Sequence, residues 1–223
     1  ANLSKKIINF KPDVVFNALH GTFGEDGSVQ RILKSLKLLY THSGINASST
    51  AMDKNKSKIL FNKIKIPTPR SLIIDKKNIN RYLIKPPFLF PLVIKPVSEG
   101  SSVGVKICKN LNELKKYKMH KLNRYLIEEF IPGKELTVGI MNNKALDVIE
   151  LKTKKEFYDY KSKYTKGMTK YIIPAPIPKD IERKCKKYAL KIHKHFGCKG
   201  VTRTDFRYNE QDHSKNKLYV LEI

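Results

Sequence analysis

Apolar positions along the chain recur with two different periods. Val14-Val15-Phe16 predicts a short buried strand running into the loop His20-Gly-Thr-Phe-Gly-Glu-Asp-Gly27. Val29, Ile32, Leu33, Leu36, Leu39 and Tyr40 then repeat at three- and four-residue spacing, which predicts a helix. Thr41 to Ala51 is small and polar and reads as a linker. Asp53 is placed to cap a helix through Asn62, which Ile66-Pro67-Thr68-Pro69 stops. Strands are predicted at Ser71–Ile74, Phe90–Lys95, Val103–Ile107, Tyr125–Phe130, Glu135–Ile140 and Ala145–Leu151, with short helices at Asn78–Ile84 and Leu111–Tyr117. The polar, tyrosine-rich stretch from Lys152 to Tyr171 has no period and reads as a loop. Ile181–Phe196 is an amphipathic helix with Cys185, Tyr188, Ala189, Ile192 and Phe196 on one stripe. Gly200–Arg207 and Lys217–Glu222 close the chain as a hairpin.

Composition bounds what this succession can be. The 223 residues allow one large domain or two small ones, and the 40% hydrophobic and 29% charged content is that of a globular chain. The longest apolar run, Phe88 to Ile94, is broken by Pro91 and falls short of the ~18–20 residues of a membrane-spanning helix, so no membrane partner is expected. Basic residues outnumber acidic ones 45 to 20, a net charge of +25. Such a balance suggests a nucleic-acid partner, but 38 of the bases are Lys and seven are Arg, spread along the whole chain, whereas bidentate phosphate or base reading favours Arg. No stacking face or reading helix accompanies the charge. Cys108, Cys185 and Cys198 have neither disulfide-framework nor zinc spacing, which fits a reducing cytoplasm.

Three constellations carry chemistry. The glycine loop 20–27, between a strand and a helix, is either an anion cradle or an ordinary tight turn. In the closing hairpin, Arg203, Asp205 and Arg207 share one strand face, and Leu218, Val220 and Glu222 share another. Antiparallel pairing sets Asp205 opposite Glu222, where two carboxylates hold a hard cation or face solvent beside Arg203 and Arg207. Glu99-Gly-Ser-Ser-Val-Gly104, joining two strands with Lys95 at the end of the first, is a phosphate cradle or a hairpin turn.

Taken in order, the segments His20 to Gly27, Met52-Asp-Lys, Lys95 to Gly104, Glu135-Leu-Thr-Val138, Phe157-Tyr-Asp-Tyr160 with Lys163-Tyr164, and Arg203-Thr-Asp205 with Leu221-Glu222 resemble the D-alanine–D-alanine ligases. These are ATP-grasp enzymes of peptidoglycan synthesis, and the resemblance runs from about residue 14 to 223. It implies an α/β ATP-grasp fold: residues 1–46 as the remainder of a Rossmann-like N-terminal domain, 47–128 as the central subdomain, and 129–223 as an incomplete C-terminal subdomain with a mobile loop at 152–171. It also implies ligation of two D-alanine molecules through an acyl phosphate, with ATP and two Mg²⁺ (or Mn²⁺) ions, in a cytoplasmic homodimer.

The site follows by similarity. Lys58 and Lys95 are expected on the ATP phosphates, Glu128 and the stretch Glu129, Phe130 and Ile131 at the adenine, and Glu135 at the ribose. Glu99, Ser102 and Tyr158 fall among the nucleotide-binding residues, and Lys163, with Lys161 as its neighbour, reaches the transferring phosphate. Asp205 and Glu222 hold the metal ions, Arg203 meets the substrate carboxyl, and His20 lies near the first D-alanine. Ser101, Ser102 and Tyr164 latch the loop over the site; ligases that make a D-lactate ester carry histidine at the position of Tyr164. The family's leading strand and its glutamate, and an asparagine ligand two residues beyond Glu222, have no counterpart here, so the 223 residues are expected to show little ligase activity alone. The alternatives are another ATP-grasp carboxylate–amine ligase, of D-lactate or D-serine type, or a basic nucleic-acid-binding module.

Overall fold

Three sheets organise the computed structural model, which describes residues 3–75, 77–100, 102–119, 124–153, 165, 167–212 and 216–223. Helix α1 (Leu3–Phe10) buries none of its residues. Strands β1 (Val14–Val15) and β2 (Leu39–Tyr40) pair in parallel across helix α2 (Ser28–Ser35). Val14 is 58% and Leu39 73% exposed, so the expected buried strand is an exposed one, and the expected helix through Tyr40 stops five residues early. The backbone explains the stop. Lys37 takes a left-handed φ of 57°, its N–H bonds to the Lys34 carbonyl, and the Leu38 N–H bonds to that of Leu33, closing a Schellman motif. A lysine in the place usually held by glycine gives no sequence signal.

Helix α3 (Ile45–Met52) occupies the expected linker, its Ser and Thr residues having masked a helix that buries Ala47 and Ser48. Helix α4 (Lys54–Lys63) follows directly, capped as expected by Asp53, whose Oδ1 accepts from the Asn55 and Lys56 N–H groups, both at 3.0 Å. Asp53→Ala is expected to cost about 1 kcal/mol, read as a lowered urea midpoint. Helix α4 ends as α2 does, with Lys65 at φ 55° and the Ile66 N–H on the Phe61 carbonyl.

A four-stranded antiparallel sheet runs β3 (Ser71–Asp75), β6 (Arg124–Glu129), β4 (Leu92–Pro96), β5 (Lys106–Cys108). Helices α5 (Ile79–Ile84) and α6 (Leu111–Lys115) pack on one of its faces, where Ile74, Leu92, Ile94, Tyr125 and Ile127 form a core. A five-stranded antiparallel sheet runs β11 (Leu218–Glu222), β10 (Val201–Tyr208), β7 (Lys134–Met141), β8 (Lys144–Thr153), β9 (Thr169–Ile172). Helix α7 (Lys179–His195) covers it with Ile181, Cys185, Ala189 and Ile192, and α4 adds Phe61 to the same core. The expected loop at 152–171 is partly strand: Thr153 pairs with Thr169, while residues 154–164 and 166 lie outside the described set. Among the described residues no helix is long and apolar enough to cross a membrane.

Candidate active site

The two larger sheets face each other across a cleft lined by residues of both. Strand alternation builds the wall. In β4 and β6, Leu92, Ile94, Tyr125 and Ile127 point into the core under α5 and α6, leaving Val93, Lys95 and Glu128 toward the cleft. The opposite wall carries Glu135 from β7, Asp205 and Arg207 from β10, and Leu221 and Glu222 from β11. Glu129, Phe130 and Ile131, in and after the end of β6, line the edge where the chain passes from one sheet to the other, and Glu99 and Ser102 border the cleft from the glycine-containing connection after β4.

At the floor lies a buried charge triad. The Glu128 carboxylate receives Lys95 on Oε1 and lies 2.9 Å from the Lys58 Nζ on Oε2, all three side chains being less than a tenth exposed. Burial alone would raise the Glu128 carboxyl, but the two ammonium groups outweigh it and hold it below the usual carboxylate range. Lys58 also donates to Thr68 Oγ1 at 2.9 Å and to the Pro69 carbonyl at 2.8 Å. Its ammonium is thus engaged by two protein oxygens and the Glu128 charge, and it is not among the cleft-lining residues. The lysine that α4 presents to the cleft is Lys54, one turn earlier, whose Nζ donates to the Glu99 carbonyl and whose ammonium is lowered by burial. Helical spacing sets residues 54 and 58 on one face, so the sequence could not tell them apart; packing against β6 does.

Asp205 stands opposite Glu222, as expected, but for a different reason. A regular ladder pairing Phe206 with Val220 would set Asp205 against Leu221 and leave Glu222 on the core face with Leu218 and Val220. A bulge between Asp205 and Phe206 shifts the register by one, turning Glu222 out of that face to line the cleft. Thr137, opposite Asp205 on β7, donates its hydroxyl to Asp205 Oδ1 at 2.6 Å, an orienting contact that no spacing in the sequence signalled. Arg203 grips the same carboxylate, Nε to Oδ1 at 3.1 Å and Nη2 to Oδ2 at 3.2 Å. Among the described residues no group of three or more His, Cys, Asp or Glu is gathered for a metal. Two adjacent carboxylates nonetheless fit the donor set of Mg²⁺, which takes one or two of them and completes its shell with phosphate oxygens and water.

Asp205, Glu222, Glu99 and Lys54 also border a second, wider basin, lined beyond them by His20, Met52, Thr202 and Arg203. His20 is exposed at its rim, 3.9 Å from Glu25. The loop that carries it is a turn rather than an anion cradle. The N–H groups of Phe23 and Ser28 bond to Asp26, those of Glu25 and Val29 to loop carbonyls, and Gly24 is required because a Cβ there would lie 2.5 Å from that of Leu19. Ser101, Tyr158, Lys163 and Tyr164 lie outside the described residues.

The comparisons with known proteins agree with this geometry. A family model, D-ala D-ala ligase C-terminus, matches residues 60–223. The D-alanine–D-alanine ligase of Pelagibacter ubique is 51% identical over 228 residues, taking in all of this chain and 73% of that protein. The D-alanine–D-alanine ligase of Bacillus anthracis complexed with ATP superposes with a TM-score of 0.78 at 28% identity, over 99% of this chain and 71% of that one. The VanG D-Ala:D-Ser ligase of Enterococcus faecalis superposes at 0.80 and 28% identity, over 94% and 62%. A cleft between two antiparallel sheets is thus the ATP-grasp arrangement, and the chain belongs to the D-alanine–D-alanine ligase family.

Proposed function

We infer that the chain supplies the nucleotide cleft and carboxylate pair of an enzyme that ligates two D-alanine molecules at the expense of ATP. The observation that carries this reading is the meeting of two chambers at one carboxylate pair: the cleft between the sheets and an open basin share Asp205, Glu222, Glu99 and Lys54. A phosphoryl group passing from one ligand to another needs such a junction.

In this reading the adenine lies against Glu128 and the stretch 129–131, the ribose meets Glu135, and Lys95 with Lys54 and Ser102 attends the phosphates. Lys58 acts behind Glu128 and does not touch the nucleotide. A carboxylate oxygen of the first D-alanine attacks the γ-phosphorus and ADP leaves. The amine of the second then attacks the acyl carbon, losing a proton and expelling phosphate. Arg203 holds the substrate carboxyl and the oxygen that becomes negative as the tetrahedral intermediate forms. His20 orients the first D-alanine from the basin rim. Mg²⁺ held by Asp205 and Glu222 would neutralise charge on the phosphates. Ser101, Ser102 and Tyr164 are proposed to latch the loop over the site and exclude water from the acyl phosphate, with Lys163 on the transferring phosphate and Tyr158 among the nucleotide-binding residues, and the whole enzyme is proposed to be a homodimer.

The test is D-alanine-dependent phosphate release from ATP, with the product identified by chromatography, using the protein as its gene encodes it. D-alanyl-D-alanine in proportion to phosphate is expected. Turnover with D-lactate or D-serine exceeding that with D-alanine as second substrate would move the chain to the depsipeptide or D-serine branch. Nucleotide binding with no amino-acid-dependent turnover would overturn the ligase reading.

A further inference from the structure

We propose that Arg207 is the positioning residue of the ribose end of the cleft, holding Glu135 and the stretch 130–131 in the geometry that receives the nucleotide. This rests on the reading of the cleft as the ATP site. Neither the glycine loop nor the carboxylate pair drew attention to this arginine, which the sequence presents only as a neighbour of Asp205.

Arg207 lies on the cleft face of β10, two residues from Asp205, and its register partner on β7 is Glu135. Its guanidinium makes three contacts with two segments, the stretch 130–131 and β7. Nε donates to the Ile131 carbonyl at 2.9 Å, Nη1 donates to Glu135 Oε2 at 3.3 Å, and the guanidinium carbon lies 5.6 Å from the centre of the Phe130 ring. The arginine and Glu135 side chains are 12% and 13% exposed, so the pair is nearly desolvated and its geometry is restricted. A carboxylate that must offer its oxygens to ribose hydroxyls gains from being held before the ligand arrives. A guanidinium suits the task because its planar fork donates in two directions while its face rests on an aromatic ring, whereas an ammonium offers a single point. A salt bridge that only stabilised the sheet would need Glu135 alone; the bond to Ile131 and the ring contact tie the arginine to the connection that would lie beside the base.

Equilibrium binding of ATP, 2′-deoxy-ATP and 3′-deoxy-ATP by wild type, Arg207→Met and Arg207→Lys tests this. Wild type is expected to prefer ATP over at least one deoxy analogue by about tenfold, the worth of one charge-assisted hydrogen bond. Arg207→Met is expected to bind ATP about tenfold more weakly and to bind all three nucleotides within twofold of one another. Arg207→Lys should keep the charge and the fold and still lose the discrimination, because it cannot span Ile131 and Glu135 together; should the Met variant fail to fold, the ratio in the Lys variant decides. A folded variant with a lowered melting temperature and an unchanged ATP preference would overturn the positioning role. Wild type that binds all three equally would overturn the ribose reading itself, a result distinguishable because it appears without any substitution.

Discussion

Glu128→Gln is expected to destabilise the folded chain by about 3–5 kcal/mol at neutral pH, the cost of removing one partner from a buried ionic cluster. The substitution keeps the shape of the side chain and removes the one negative charge between the Lys58 and Lys95 ammonium groups, which are 6% and 7% exposed in their side chains. Urea unfolding measures the loss, and its pH dependence identifies the cause. In the wild type, Glu128 has a folded-state value below its unfolded one. Its contribution is therefore present above the unfolded carboxylate value, about 4.3, and is lost as pH falls through the lower folded value. In the variant the lysines lack their counterion, and burial already lowers Lys58. The unfolded chain then binds more protons than the folded one through the alkaline range, so the variant gains stability as pH rises toward about 10.4. The deficit should narrow between pH 7 and 10. A loss under about 1 kcal/mol at pH 7 would mean that the two ammonium groups find other compensation.

Arg203→Ala is expected to slow dipeptide formation by about 10²–10³-fold, the usual cost of removing a preorganised charge at a developing oxyanion. The ATP Kd should change less than threefold, since Arg203 borders the basin and is absent from the nucleotide cleft. The guanidinium is aimed along β10 by its two contacts to Asp205, and its side chain remains 56% exposed on the basin side, where a substrate carboxyl can reach it. Because Asp205 loses a partner as well, the Mg²⁺ dependence of turnover separates the two effects. A rate recovered by raising Mg²⁺ would place the defect in the carboxylate pair. A defect that persists at saturating Mg²⁺ places it in the substrate. A loss below tenfold in the second case would refute the assignment of Arg203 to the reacting carbonyl.

Much of the fold was legible because the strands of the two core sheets are short apolar runs bounded by turn residues. Strands β4, β6, β7, β8, β10 and β11 lie within two or three residues of their predicted limits, as does the cap at Asp53. What escaped was decided by backbone states and tertiary neighbours. The end of α2 depends on Lys37 in a left-handed conformation that lysine does not advertise, and with it went the strand at Leu39–Tyr40. The pairing of Asp205 with Glu222 was anticipated, yet simple alternation would have buried Glu222 beside Val220; only the bulge makes the expectation right. The choice between Lys54 and Lys58 turns on which of two residues on one helical face meets Glu128, a fact about β6 and not about α4. The net charge of +25 was the loudest feature of the composition and the least informative about the site, where a few scarce carboxylates organise the cations around them.

The anchored lysine of the charge triad has one more effect, on entropy. A lysine side chain fixed from free rotation gives up about 1.5–2 kcal/mol of conformational freedom. Lys95 is immobilised when the sheet forms, its ammonium already resting on Glu128 at the cleft floor. In the proposed reading an arriving phosphate would meet a cation whose freedom was lost during folding, so that cost would not recur on binding. Nucleotide affinity would in this sense be drawn from the stability of the four-stranded sheet, and a change that loosens β4 should weaken both together.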